Sequence, residues 1–158
     1  LSGEVTLDVH NYNYIYTPYK VKEISNITFK VKGSNDAYVG LFADIKSQFA
    51  GEPFYELIIG GWGNQRFGLK KVGYSGGTLS ITGADQNGYL SDQEFRPFWV
   101  SWAYHVIKIG YGTVVGQGTL ITYDDRAAPM DINHLAFGTN NAISLKFSYY
   151  NSKLSIET

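Results

Sequence analysis

Apolar residues in this chain recur with a period of two and almost never with a period near 3.6, which restricts the chain to β-structure. Val5, Leu7 and Val9 alternate with Glu4, Thr6 and Asp8. Ile27, Phe29 and Val31 alternate with Thr28 and Lys30, and the turn residues Gly33-Ser34-Asn35-Asp36 follow. Residues 37–42 read as the paired strand. Residues 55–59 form an apolar run, as expected of a strand covered on both faces. Further strands are expected over residues 67–73, 78–82, 98–102, 106–111, 118–123, 135–138 and 143–149, with a last short one at Leu154 and Ile156. The one helix-like pattern is Leu41, Ile45 and Phe49, and it stops at Gly51 and Pro53, so it amounts to a helical turn in a loop. Strands spaced by roughly 8–12 residues, with turn residues between them, indicate a sandwich or barrel. The expectation is an all-β fold: a single antiparallel β-sandwich of jelly-roll type over residues 1–158.

Composition agrees and removes several functions. Aromatic residues make up 16% of the chain, with 13 Tyr, and there are 18 Gly, a balance suited to strands and tight turns. The net charge of −1 and pI of about 6.3 give no basic footprint for nucleic acid. No apolar run reaches the ~18–20 residues of a membrane-spanning helix. The absence of cysteine removes disulfides, thiolate catalysis and cysteine-based zinc sites. A first residue of Leu1 reads as a processed N-terminus, and Asn26-Ile27-Thr28 is a glycosylation sequon. Both suggest a secreted protein.

Two stretches stand apart from ordinary strands. Tyr55-Glu56-Leu57-Ile58-Ile59-Gly60-Gly61-Trp62-Gly63-Asn64 ends on a cluster of Gly, Trp and Asn. Glu94-Phe95-Arg96-Pro97-Phe98-Trp99-Val100-Ser101-Trp102 follows, after Leu90-Ser91. With Ile107-Lys108-Ile109-Gly110 and Ile132-Asn133-His134-Leu135-Ala136-Phe137, they resemble the farnesoic acid O-methyltransferase-like domain across residues 37–139. The chain departs from that pattern at Gln65-Arg66-Phe67-Gly68, usually more basic, and at Asn140-Asn141, where the family usually carries a Trp. The resemblance implies methyl transfer from S-adenosylmethionine by name. The common methyltransferase architecture, however, needs a Gly-rich strand-to-helix turn within βα alternation. Gly60-Gly61-Trp62-Gly63 follows a strand, but no amphipathic helix follows it. The resemblance therefore implies a β-sandwich recognition module, and no enzyme is expected.

His10, His105 and His134 show no metal-ligand spacing, and no Gly-x-Ser-x-Gly elbow is present. The segment from Asp85 to Glu94 fails the EF-hand spacing, since its Gly and Glu both come early. An irregular Ca²⁺ loop on Asp85, Asn87 and Asp92 is the metal candidate, against a solvated turn. Glu94 and Arg96 lie two apart and read as a structural pair. Asp124-Asp125-Arg126 closes a strand: Arg126 offsets the paired carboxylates, or a cation does. Trp62, Asn64 and Arg66 cluster at one turn, where an aromatic face beside amide and guanidinium groups suits a sugar. The plainer reading puts Trp62 in the core and Asn64 in the turn. Trp99 and Trp102 are three apart and point to opposite faces. The Tyr/Asn tract over residues 11–19 reads as a contact surface, an oligomer interface or a wrapping loop.

The functional expectation is a secreted lectin that binds terminal sugars such as galactose on glycans or glycoproteins, with Ca²⁺ as an optional cofactor. The expected ligand residues are Trp62, Asn64, Arg66, Asp124, Asp125, Asn133 and Asn140. Because shallow sugar sites are weak, a homo-oligomer gaining avidity is expected. A protein-interaction module of innate recognition or matrix is the alternative, and an S-adenosylmethionine-dependent methyltransferase a further one.

Overall fold

In the computed structural model the period-two segments become thirteen strands among the described residues, which are 3–10, 15–21, 24–44, 53–72, 79–82, 88–149 and 155–156. The strands are β1 (Gly3–Val9), β2 (Ile15–Lys20), β3 (Asn26–Gly33), β4 (Ala37–Phe42), β5 (Phe54–Gly60), β6 (Arg66–Val72), β7 (Leu79–Thr82), β8 (Arg96–Ser101), β9 (Val106–Tyr111), β10 (Thr119–Asp124), β11 (His134–Thr139), β12 (Ile143–Tyr149) and β13 (Ser155–Ile156). They form a six-stranded sheet, β1-β12-β3-β8-β9-β10, and a seven-stranded sheet, β13-β2-β11-β4-β5-β6-β7. All pairings are antiparallel.

Alternation drives the packing. β3 alternates exposed and buried residues along its length, sending Ile27, Phe29 and Val31 inward. Phe98 and Val100 of β8, and Ile107 and Ile109 of β9, join them. Across the interface they meet Val39 and Leu41 of β4, Leu57 and Ile59 of β5, and Leu135 and Phe137 of β11. Each such side chain contributes roughly 1.5–3 kcal/mol by leaving water. β4 and β5 are covered on both faces, apart from the half-buried Glu56. On the outer side of their sheet, Phe42 and Phe54 stack with centroids 4.4 Å apart, beside Ala136.

Sequence reading missed β2. Its Pro18 cannot donate to a ladder, and the Tyr/Asn tract around it reads as loop. The register of β2 against β11 jumps from Lys20↔His134 to Tyr16↔Ala136, so Pro18 lies in an irregularity that relaxes this demand. Residues 11–14 of that tract, and 45–49 of the helix-like pattern, lie outside the described residues; Leu41 belongs to β4.

Trp99 and Trp102 do take opposite faces. Trp102 joins the core, while Trp99 lies on the outer side of the six-stranded sheet directly across from Gly110. The indole is fully buried, and its Nε1–H donates to the Gln117 carbonyl at 2.7 Å. A methyl on Gly110 would stand 2.2 Å from Trp99 Cε2, so the indole needs a bare backbone there. Gly110→Ala is expected to cost about 3 kcal/mol, the upper end for overpacking, because the added methyl meets the body of a fully buried indole. Urea unfolding checks this; a loss below 1 kcal/mol would show that the indole relocates easily.

Candidate functional site

Three turns meet at one pole of the sandwich: β3–β4, β5–β6 and β11–β12. The β5–β6 turn carries the unusual Gly-Gly-Trp-Gly-Asn sequence. Its residues 62–64 all have left-handed backbones, with φ of 54° at Trp62, 73° at Gly63 and 64° at Asn64. Glycine and asparagine accept that region readily, whereas a bulky residue there is a strained outlier. Asn64 secures the turn. Its Nδ2 donates to the Leu90 carbonyl at 2.8 Å, and its Oδ1 accepts from Leu90 N–H at 3.0 Å. Arg96 holds the same loop from the other side through the Gly88 carbonyl, and pairs with Glu94 at 2.7 Å.

The turn projects Trp62 onto the outer face of the seven-stranded sheet. The far edge of its indole lies over Gly68, where an added Cβ would stand 3.1 Å from the ring. The side chain is nevertheless 48% exposed, among the largest apolar surfaces the chain offers to solvent. Beside it is a cleft of about 360 Å³ lined by Asn35, Asp36, Tyr38, Ile58, Gly61, Trp62, Gly63, Lys70 and Asn140.

Asp36 is the most informative of these residues. It is only 9% exposed and has φ of 50°. Its N–H donates to the Gly60 carbonyl at 3.0 Å, and its own carbonyl accepts from Thr139 Oγ1 at 2.7 Å. Both contacts fix the carboxylate against the β5–β6 and β11–β12 turns. Asp36 Oδ2 accepts from Tyr38 OH at 3.0 Å and from Asn140 Nδ2 at 3.4 Å. Among the described residues nothing donates to Oδ1, and Lys70, half-buried at the cleft wall, has no ion-pair partner. The cleft thus sets one carboxylate oxygen, one ammonium and two amides beside an aromatic ring.

The structure brings together two of the sequence-derived ligand residues, Trp62 and Asn140. Asn64 is spent on the turn, and Arg66 is exposed at the start of β6, outside the cleft lining. Asn133 lies at the opposite pole, where its Nδ2 donates to the Ala43 carbonyl at 3.0 Å. It borders a second cleft with Trp102, Tyr104 and His105.

Asp124 and Asp125 separate where β10 ends: Asp124 is its last residue and Asp125 the first beyond it. Asp124 points outward and accepts from Arg126 Nε at 2.8 and 2.9 Å, which holds its carboxyl below the usual carboxylate range. Asp125 is buried near the opposite pole. It pairs with Lys71 Nζ at 2.6 Å and accepts hydrogen bonds from the hydroxyls of Tyr55 and Tyr123. Lys71 also donates to the Ala128 carbonyl at 2.7 Å. Burial, and then the Asp125 hydrogen bond, push the Tyr55 hydroxyl far above its ordinary pKa. The sequence expectation that a ligand or cation meets Asp125 is corrected: a protein cation and two hydroxyls fill its valence in the core.

Of the proposed Ca²⁺ ligands, Asp85 and Asn87 lie outside the described residues, and Asp92 is exposed with its Oδ1 accepting from Gln93. Among the described residues no group of three acidic or histidine side chains is placed to hold a metal.

Asp36, Tyr38, Asn35 and Lys70 were missed by sequence reading. The signal present was the turn sequence Ser34-Asn35-Asp36, whose acidic residue takes a left-handed backbone and joins the cleft only through long-range packing.

The farnesoic acid O-methyltransferase family model matches residues 8–153. The chain belongs to that family. No curated protein sequence matches it. Among solved structures it is similar to lactose- and MES-liganded congerin II, at 9% identity and TM-score 0.56, covering 96% of this chain and 100% of that one. It is also similar to the CBM40 of the Ruminococcus gnavus IT-sialidase bound to α2,3 sialyllactose, at 10% identity and TM-score 0.52, covering 96% and 92%. A third is the Bacteroides ovatus GH16 of a mixed-linkage glucan locus, at 11% identity and TM-score 0.51, covering 91% and 67%. At such identities the likeness establishes the fold, a galectin- or jelly-roll-like antiparallel sandwich.

Proposed function

We propose that this chain is a carbohydrate-binding module whose site is the Trp62 cleft, and that it acts by recognition and not by methyl transfer. The observation that carries the reading is the half-exposed indole held on a left-handed turn beside a buried carboxylate with one oxygen open to a ligand. A pyranose offers an apolar C–H face and a rim of hydroxyls. The ring of Trp62 suits the first. Asp36 Oδ1, Asn35, Asn140 and Lys70 suit the second, since charge-assisted hydrogen bonds are the strong ones in such sites. Strain kept at an exposed aromatic residue is itself a mark of function. The solved structures with sugars bound in similar sandwiches support the reading.

Against the methyltransferase alternative, the Gly-rich turn after β5 makes only a four-residue helical turn, left-handed at Trp62 and Gly63, before the antiparallel β6, too short and irregular to receive a cofactor at a helix N-terminus. We further propose that the module is extracellular and displayed in several copies, because one shallow cleft binds weakly and gains by avidity.

The test is a two-dimensional NMR titration with galactose, lactose, mannose and N-acetylglucosamine, and separately with S-adenosylmethionine. Expected are saturable shifts at residues 35–38, 61–64 and 140 with at least one sugar, abolished in Asp36→Asn. Asparagine tolerates the left-handed backbone, so that variant removes charge and not fold. Sugar shifts confined to the Tyr104 pole would refute the site, and saturable shifts with S-adenosylmethionine alone would refute the reading.

A further inference from the structure

The outward face of the six-stranded sheet concentrates positive charge in a chain whose net charge is −1. Lys30 of β3 and Lys146 of β12 stand directly opposite each other in the ladder. Lys32, two residues along β3, shares their face, because Val31 and Leu145 point into the core. Neighbouring strands lie ~4.8 Å apart and alternate residues on a strand ~6.6 Å apart, so the three ammoniums occupy one small patch. Lys146 Nζ lies 4.5 Å, and Lys32 Nζ 5.9 Å, from the centroid of one Phe95 ring, which draws both cations together. None of the three is ion-paired among the described residues. Two carboxylates border the patch without pairing with its lysines: Asp8, across Ser144 from Lys32, and Asp92, which lines a cleft with Lys32. Asp8 accepts from Ser144 Oγ at 2.6 Å, and Asp92 bonds Gln93. Like charges directly opposite in a ladder weaken a sheet, so this arrangement costs the free protein stability.

We propose that this lysine face binds a sulfated or carboxylated polysaccharide. Charge complementarity selects a polyanion, and two observations favour a glycan over an anionic membrane. Among the described residues the large exposed apolar side chains are Trp62, Tyr104, Tyr111, Val114 and Val115, none of them on β3 or β12, so a bilayer meeting the lysines gains little beyond charge and the half-buried Phe95 ring. The lysine face and the Trp62 cleft lie on opposite sheets but approach each other around the pole formed by the β3–β4 and β11–β12 turns. Asn35 and Asn140 line that cleft, whereas their neighbours Ser34 and Asn141 line a second cleft of about 280 Å³ with Lys32 and His10. The ridge between the two is narrow, formed by Asn141 Nδ2 bonding Ser34 Oγ at 2.9 Å and Asn35 Oδ1 at 3.0 Å. A chain of sugars leaving the Trp62 cleft over this ridge meets the lysines. The choice of a glycan as occupant rests on the carbohydrate-binding reading.

The experiment compares retention of dextran sulfate, neutral dextran and phosphatidylserine vesicles by the wild type, Lys146→Glu and Trp62→Gly at 50–300 mM salt. Dextran sulfate is expected to bind, losing roughly 2–3 decades of affinity per decade of salt, as three displaced counterions predict. Lys146→Glu is expected to weaken this binding at least tenfold and to raise Tm, because it replaces a like-charge pair with an opposite-charge pair. Trp62→Gly is expected to keep dextran sulfate binding while losing neutral sugars, so the two sites fail independently. The proposal is overturned by dextran sulfate passing unretained, by Lys146→Glu binding as wild type, or by retention on vesicles without retention of the polysaccharide.

Discussion

Asp125→Ala is expected to destabilise the fold by about 3–5 kcal/mol, the range measured when one partner of a buried ion pair is removed. The carboxylate and the Lys71 ammonium are almost fully buried, with side-chain exposures of 3% and 5%. Removing Asp125 leaves the ammonium in the core without its counter-charge and takes the acceptor from the Tyr55 hydroxyl. Against a total stability of ~5–15 kcal/mol, such a variant approaches the edge of folding. Replacing both partners, Asp125→Leu with Lys71→Met, is expected to recover most of the loss, because no charge then remains to be buried. Urea unfolding of the single and double variants decides this; a single-variant loss below 1 kcal/mol would mean that water reaches Lys71 freely.

The same network predicts a pH dependence. Tyr55 keeps its proton in the folded state well above the ~10 at which it ionises when unfolded. Its contribution is therefore complete below pH ~10 and declines above it, where only the unfolded chain releases the proton. Tyr55→Phe should cost ~1.5–3 kcal/mol at neutral pH, the worth of a hydrogen bond to a charged group. The gap between wild type and Tyr55→Phe should narrow between pH 10 and 11. A constant gap across that range would contradict the assignment.

The second large effect is on binding. Trp62→Gly is expected to lower sugar affinity at least tenfold, about 1.4 kcal/mol, while leaving stability within about 1 kcal/mol of wild type. Three terms set the stability. Relief of the left-handed backbone returns ~1–2 kcal/mol. Loss of the contact between the indole and the sheet removes part of the ~1.5–3 kcal/mol of a fully buried side chain. Added freedom of the unfolded chain costs ~0.5–1 kcal/mol. The terms nearly cancel. A residue kept for packing would give the opposite pattern, with a large stability loss and unchanged binding.

The fold was largely legible because alternation is local. Val5 to Val9 or Ile27 to Val31 announce a strand whatever else the chain does, and the sandwich follows from their number and spacing. β2 was not legible, because Pro18 and the Tyr/Asn tract are poor strand markers and its pairing is supplied by β11. The site was legible only in part. The Gly-Trp-Gly-Asn signature identified the turn, and the rarity of Trp among glycines flagged Trp62. Asp36 stayed hidden, since its burial comes from contacts with Gly60 and Thr139, 24 and 103 residues away respectively. Asn64 misled for the reverse reason: its amide looked like a ligand group, and the loop at Leu90 uses it up. Asp125 stayed hidden for the same reason as Asp36, since its burial rests on Lys71 and Tyr55, far from it in sequence.

The central claim is that the Trp62 cleft binds sugars, and a glycan array probed with multivalent wild-type protein beside Trp62→Gly and Asp36→Asn tests it most directly. The account predicts that wild type retains a coherent set of terminal sugars and that both variants lose the same set while unfolding normally. An array blank for the wild type, or one on which the variants bind the same glycans, would contradict it.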